Sequence, residues 1–337
     1  MNIEEIAKKM VEQGKGILAA DESTGTMEKR LKSVNVDCTE QNRLHFRETL
    51  FSSSAMKSNI SGVILFDETI RQKTSEGITV PELIKKNGAL PGIKVDKGAK
   101  PLAGSNKEKI TEGLDGLGTR MKEYYKLGAR FAKWRAVYSI STNLPSDQCI
   151  KSNAHALARY SAIVQEAGMV PIVEPEVLMD GDHDIDKCFE VSSKVLDECV
   201  KELILHKVNL KGIVLKPNMI LPGSKNDQKK SSEEIAKKTL EFLKNSLPKE
   251  VPGVAFLSGG QSEVEATKNL NSINKINDSS FKFTFSYGRA LQQSALKTWA
   301  SSMNDKAKIQ KVFDHRARMN GLSTEAKWTE SLEKQIA

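Results

Sequence analysis

Cysteine and histidine are both scarce in this chain. Its four cysteines, Cys38, Cys149, Cys188 and Cys199, are spread over 337 residues without a Cys-x-x-Cys spacing. That pattern excludes a disulfide-framed fold and leaves free, buried thiols as the expectation. The five histidines, His45, His155, His183, His206 and His315, show none of the tight spacings of a zinc motif, so no metal site is expected. His183 stands in Asp180-Gly-Asp-His-Asp184, which lacks the alternating ligands and closing glutamate of a calcium loop and reads as a polar turn. No apolar run approaches the length of about 18 residues needed for a membrane helix, so no membrane partner is expected. The start, Met1-Asn-Ile-Glu-Glu-Ile-Ala-Lys-Lys-Met10, carries acids where a signal peptide would carry a basic start and an apolar run. A cytoplasmic location is the expectation.

What is present is ordinary soluble composition, 39% hydrophobic and 28% charged. The net charge is +8, from 51 basic against 43 acidic residues. The lysines are dispersed along helical segments rather than gathered with aromatics, so nucleic acid is not the expected partner. Anionic small molecules are, if basic groups meet in one pocket.

Periodicity organises the chain. A helical apolar pattern over 3–14 is followed by short apolar runs at 17–20, 62–67, 92–97, 129–137, 170–177, 213–215, 254–260 and 281–288, read as strands. Helical patterns separate them, a polar connection occupies 106–117, and the section from 290 onward is mostly helical. Eight strands alternating with helices predict an α/β fold, a (β/α)8 TIM barrel with extra N-terminal and C-terminal helices. An open doubly wound sheet would call for a Gly-x-Gly-x-x-Gly turn after the first strand, and none occurs. The barrel is expected over 1–320, with 321–337 a mobile tail having few apolar anchors.

A barrel gathers its C-terminal strand ends, however distant in sequence. Here those ends carry Asp21, Asp67, Lys94, Asp96, Lys133, Arg135, Glu174, Glu176, Lys216, Ser258 and Arg289. Lys216 follows Ile213-Val-Leu215 and precedes Pro217, which ends the strand. Two readings follow: a lysine capping a strand and reaching solvent, or a buried amine, deprotonated near the like charge of Lys133, that attacks a carbonyl. Glu174 and Glu176 share a face and cannot titrate independently, so one is expected to hold a proton and serve as the acid that expels water during imine formation. Asp21 is placed to take a substrate hydroxyl proton. Ser258-Gly259-Gly260 and Gly288-Arg289 offer backbone N–H groups to a phosphate, and Lys94 with Ser23 to a second anion.

These segments together resemble the class I fructose-1,6-bisphosphate aldolases, Schiff-base (β/α)8 enzymes. The resemblance runs through Gly16-Ile-Leu-Ala-Ala-Asp-Glu-Ser-Thr-Gly25, Gly62-Val-Ile-Leu-Phe-Asp-Glu68, Gly92-Ile-Lys-Val-Asp-Lys97 and Phe131-Ala-Lys-Trp-Arg135. It continues through Val173-Glu-Pro-Glu176, Leu215-Lys-Pro-Asn218, Phe256-Leu-Ser-Gly-Gly-Gln-Ser262 and Ser286-Tyr-Gly-Arg-Ala-Leu291. It implies Lys216 as the Schiff-base lysine, Glu174 as the acid–base group, Lys133 as its electrostatic partner, Glu176 in support, and Asp21 at the C4 hydroxyl. Ser258, Gly259, Gly288 and Arg289 resemble the C1-phosphate site. Ser23, Thr26 and Lys94 resemble the C6-phosphate side, with Arg289 moving between the two and Arg135 lining the pocket.

The implied reaction is reversible cleavage of fructose 1,6-bisphosphate to dihydroxyacetone phosphate and glyceraldehyde 3-phosphate, in glycolysis and gluconeogenesis. It needs no cofactor and no metal, and the family is typically homotetrameric. Thr26 stands where the family usually has serine. The chain's last tyrosine is Tyr287, whereas members commonly end in one, so either another base substitutes or turnover is slower. The rivals are a transaldolase-like transferase, an aldolase for a different phosphosugar, and a binding or scaffold protein that reuses the barrel.

Overall fold

In a computed structural model describing residues 1–105 and 107–335, the sheet closes on itself. Its strands are β1 (Gly16–Ala20), β2 (Ile60–Leu65), β3 (Leu90–Lys94), β6 (Phe131–Tyr138), β7 (Val170–Val177), β8 (Val214–Leu215), β9 (Gly253–Phe256) and β10 (Lys282–Tyr287). They pair in parallel in the order β1-β10-β9-β8-β7-β6-β3-β2, a closed eight-stranded barrel with helices outside. The remaining strands, β4 (Ala99–Pro101) and β5 (Lys109–Thr111), form an antiparallel hairpin beyond β3.

Five strands, β3, β6, β8, β9 and β10, are shorter than periodicity predicts, and the hairpin occupies part of the predicted polar connection. Beyond Lys94, Val95 N–H still donates to Lys133 C=O at 3.1 Å, and the chain then turns away, with Lys97 N–H donating to Glu112 C=O at 2.8 Å at the base of the hairpin. On β8, a 3₁₀ turn at Leu210–Gly212 takes up the approach, leaving only Val214–Leu215 as strand. Lys216 N–H still donates to Val173 C=O at 2.8 Å, and Pro217, which has no N–H, follows.

The two-residue period divides the barrel. On β6, Phe131, Lys133 and Arg135 face inward, whereas Trp134 faces out and packs on Tyr160 with ring centroids 5.5 Å apart. The lower interior is apolar, built from Ile17, Ile64, Phe131, Val170, Ile172, Val214 and Ala255. The N-terminal helix Ile3–Met10 closes this end, burying Ile6, Ala7 and Met10 in the same cluster. Burying Ile6 and Met10 contributes about 1.5–3 kcal/mol each. Asn2 and Glu5 form a capping box that fixes where this helix starts. The charged side chains Asp21, Lys94, Lys133, Glu174, Glu176 and Lys216 line the upper interior.

Residues 321–335, read from sequence as the start of a tail, are packed against the barrel's outer layer. Helix Lys306–Thr324 continues through Gly321, Trp328 is buried, and Glu333 bonds both Trp328 and Arg316. A single tryptophan and one buried ion pair supply anchoring that hydropathy along the sequence does not show. Residues 336 and 337, the end of that expected tail, lie outside the described residues.

Gly92 shows how tightly the lower interior is filled, since a Cβ there would lie 2.2 Å from the Phe131 ring. Gly92→Ala is expected to lower the unfolding free energy by about 1–3 kcal/mol in urea titrations, with Phe131→Leu recovering part of it. An unchanged midpoint would show that the ring has room to move.

Candidate active site

The upper ends of β1, β6, β7 and β8 bring four buried charges into contact. Lys133 Nζ lies 2.7 Å from Asp21 Oδ2 and 3.2 Å from Glu174 Oε2. Lys216 Nζ lies 3.1 Å from the other oxygen of Glu174, Oε1. All four side chains are almost wholly buried. Inward alternation accounts for Lys133 and Glu174, and register puts Lys133 opposite Ile172, one diagonal step from Glu174. Asp21 arrives from the end of β1, just beyond Ala20.

Burial opposes the ionisation of Asp21, but the charges of Lys133, Lys216 and Lys94 and the Lys133 hydrogen bond outweigh it and hold its pKa at about 2. Burial likewise works against the Lys133 cation. Asp21, Glu174 and Asp96 overcome that and hold it well above the ordinary lysine value. For Glu174, burial raises and Lys133, Lys216 and Arg135 lower, leaving it below the ordinary glutamate range. Of the two glutamates expected to share a proton, Glu174 is therefore ionised in the free protein, because two lysines hold it. Glu176 stands apart, in an ion pair with Arg135.

Every residue singled out from the sequence as catalytic or phosphate-binding lines one cavity of about 510 Å³ over this floor. A wider groove of about 820 Å³ opens beside it, sharing Arg135, Glu176, Gly259 and Arg289. On one wall, Lys94 pairs with Asp96 at 2.7 Å, and Asp96 also accepts from the Gly98 and Arg135 N–H groups. Ser23 and Thr26 share a hydrogen bond of 3.2 Å at the start of helix Thr24–Lys32. On the opposite wall, Gly259 and Gly260 take φ of +56° and +81°, a left-handed turn closed by Gln261 N–H on Ser258 C=O. Only glycine adopts two such residues without strain, and the turn leaves backbone N–H groups free to face an anion. Gly288 starts helix Arg289–Ser301 without a side-chain cap, so its first N–H groups also lack intrahelical partners.

Not every charged strand end joins the site. Asp67 begins helix Asp67–Arg71, where it bonds Arg71 and Tyr124 and lies outside the cavity. Sequence reasoning also missed one residue lining the cavity and a group that braces it from behind. Ser286, on the inner face of β10, is buried, lines the cavity and has no hydrogen-bond partner. The outward pattern Phe283, Phe285 and Tyr287 was the signal for it, since alternation turns Ser286 inward. Glu22 pairs with Arg30 and Arg47, and Gln292 spans Glu22 Oε1 at 3.3 Å and Ala19 C=O at 2.8 Å. These contacts brace the end of β1 behind Asp21, and no sequence spacing announces them.

A buried lysine on a carboxylate, beside two backbone turns with unpartnered N–H groups at the top of a (β/α)8 barrel, is the arrangement of a lysine-dependent lyase. The chain matches the family model for fructose-bisphosphate aldolase class-I over residues 2–337 and belongs to that family. It is 49% identical over 332 residues to the Xanthomonas campestris protein named "Probable fructose-bisphosphate aldolase class 1", covering 97% of this chain and 99% of that one. It is 55% identical over 312 residues to fructose-bisphosphate aldolase 4, cytosolic, of Arabidopsis thaliana, covering 92% and 79%. The crystallised fructose-bisphosphate aldolase of Plasmodium falciparum superposes with a TM-score of 0.95 at 46% identity, over 97% of this chain and 95% of that one.

The sign of the Asp21 shift fixes a pH window. A carboxyl held at about 2 contributes stability above its unfolded value, lost as pH falls from about 4 towards 2. Urea unfolding across that range is expected to show a steep loss for the wild type and a flatter one for Asp21→Asn. Superimposable profiles would remove the Asp21–Lys133 pair from the stability of the fold.

Proposed function

We propose that the protein cleaves fructose 1,6-bisphosphate reversibly to dihydroxyacetone phosphate and glyceraldehyde 3-phosphate, with Lys216 as the amine that forms the imine. The observation that carries this reading is the 3.1 Å contact between Lys216 Nζ and Glu174 Oε1 at the cavity floor. Proton transfer along that contact converts an ammonium and a carboxylate into a free amine and a carboxylic acid, the two species imine formation needs. The amine adds to the C2 carbonyl, and the acid returns its proton to the leaving hydroxyl, which departs as water.

Lys133 stays cationic between Asp21 and Glu174 and stabilises whichever of them is anionic. The iminium then draws the electrons of the C3–C4 bond. As that bond breaks, the C4 hydroxyl proton passes to Asp21, which is ionised at all pH values above about 2. Glyceraldehyde 3-phosphate leaves, the enamine gains a proton at C3 as Asp21 gives up the one it accepted, and addition of water to the resulting iminium releases dihydroxyacetone phosphate and frees Lys216. Ser258, Gly259, Gly288 and Arg289 on one wall receive the C1 phosphate. Ser23, Thr26 and Lys94 across the cavity receive the C6 phosphate, Arg135 lines the space between, and Glu176 holds Arg135. A cytoplasmic homotetramer is the assembly we infer, on the likeness to the family and to plant relatives named cytosolic. Sedimentation at the mass of one chain, 37.3 kDa, would sink the tetramer alone.

Incubation with dihydroxyacetone phosphate followed by borohydride is expected to leave a covalent adduct on the Lys216 peptide, with Lys133 unmodified. Glu174→Gln is expected to lower kcat by about 10²–10⁴-fold while the phosphate groups still bind. Labelling at Lys133, or full activity in Lys216→Met, would overturn the assignment.

A further inference from the structure

Two helices outside the barrel meet at a cluster that the cleavage reaction does not use. Helix Asp147–Glu166 follows β6 and helix Ile185–Leu205 follows β7. The first presents His155, and the second presents Glu202 with His206 at its C-cap. Glu202 Oε2 lies 3.1 Å from His155 Nδ1 and 3.5 Å from His206 Nδ1, and the imidazole centroids are 4.9 Å apart, edge to face. One ligand atom from each residue falls within 4.8 Å of the other two. None of the three lines the catalytic cavity.

We propose that His155, Glu202 and His206 form a binding site for a borderline divalent transition ion, Zn²⁺ or Ni²⁺. The two glutamate–histidine spacings match the chemistry. Zinc takes imidazole and carboxylate ligands at about 2.0–2.2 Å, so the edges of its tetrahedron are ~3.3 Å, close to both glutamate–histidine separations. The donor set of two imidazoles and one carboxylate favours such ions over Mg²⁺ or Ca²⁺, which require oxygen. Glu202 is largely buried, with a side-chain exposure of 15%, and His206 of 21%, so the carboxylate and one imidazole are already held by the fold.

His206 Nδ1 now lies 2.9 Å from the Glu202 carbonyl. That oxygen also accepts the His206 backbone N–H at 3.0 Å, so turning the ring towards a metal leaves it satisfied. His155, with its side chain 51% exposed, leaves the fourth coordination position open to water. The bound ion ties together the helices that follow the strands bearing Lys133 and Glu174. It therefore stabilises the fold by mass action without entering the reaction.

The test uses the full, untagged chain after chelator treatment, titrated with Zn²⁺ by calorimetry and with Co²⁺ by visible absorption. Expected are uptake of one ion with affinity on the order of micromolar, tetrahedral Co²⁺ bands, and a melting temperature that rises with Zn²⁺. His155→Ala and His206→Ala are each expected to weaken uptake at least tenfold, and the double variant to abolish it. Cleavage of fructose 1,6-bisphosphate should be unchanged in all three, which reports correct folding. Equal Zn²⁺ uptake by the wild type and the double variant, or no uptake by the wild type at on the order of 100 µM, would overturn the site.

Discussion

Glu174 is shared between two lysines, and much of the structure serves that sharing. An isolated buried charge costs several kcal/mol, so neither Lys133 nor Lys216 could stand at the barrel floor alone. With Asp21 and Glu174 ionised, each lysine amine lies against a carboxylate. The pKa directions follow: both carboxylates are held low and Lys133 high, even though burial pushes each the other way. The proposed acid–base work rests on the contact that Lys216 makes with Glu174.

Barrel closure makes this cluster possible. Asp21, Lys133, Glu174 and Lys216 come from four strands spread over nearly two hundred residues, and only pairing of β1 with both β2 and β10 brings the first back beside the others. The lower interior carries the mechanical load. Phe131 fills the space against Gly92, and helix Ile3–Met10 stoppers the end, so the strands that aim the charged groups have little freedom to shift. Glu22, Arg30, Arg47 and Gln292 extend that rigidity to the loop after β1. Precision at the floor therefore rests on packing below it and on ion pairs behind it.

The two walls of the cavity differ in character, one presenting backbone N–H groups and the other a side-chain ion pair. The left-handed Gly259–Gly260 turn and the uncapped start of helix Arg289–Ser301 offer N–H groups from two neighbouring strand ends, β9 and β10. Lys94, in contrast, is already engaged by Asp96, so under the proposed function a phosphate there would compete with that carboxylate. The two walls thus differ in how ready they are.

By itself the sequence determined the barrel and the inward set of charges. Both follow from local rules: a two-residue period turns Lys133, Arg135, Glu174 and Glu176 inward, and alternation of strand and helix leaves few architectures open. Only the tertiary structure decided partnership, because barrel stagger and helix packing set which side chains meet. It joined both lysines to Glu174, gave Glu176 to Arg135, and sent Asp67 to Arg71 and Tyr124 outside the cavity. It turned residues at the chain's end into a packed layer around Trp328, and it set His155 beside His206 across two helices. No spacing along the chain announces such a meeting, since contacts between residues far apart in sequence arise from closure and packing rather than from any local period.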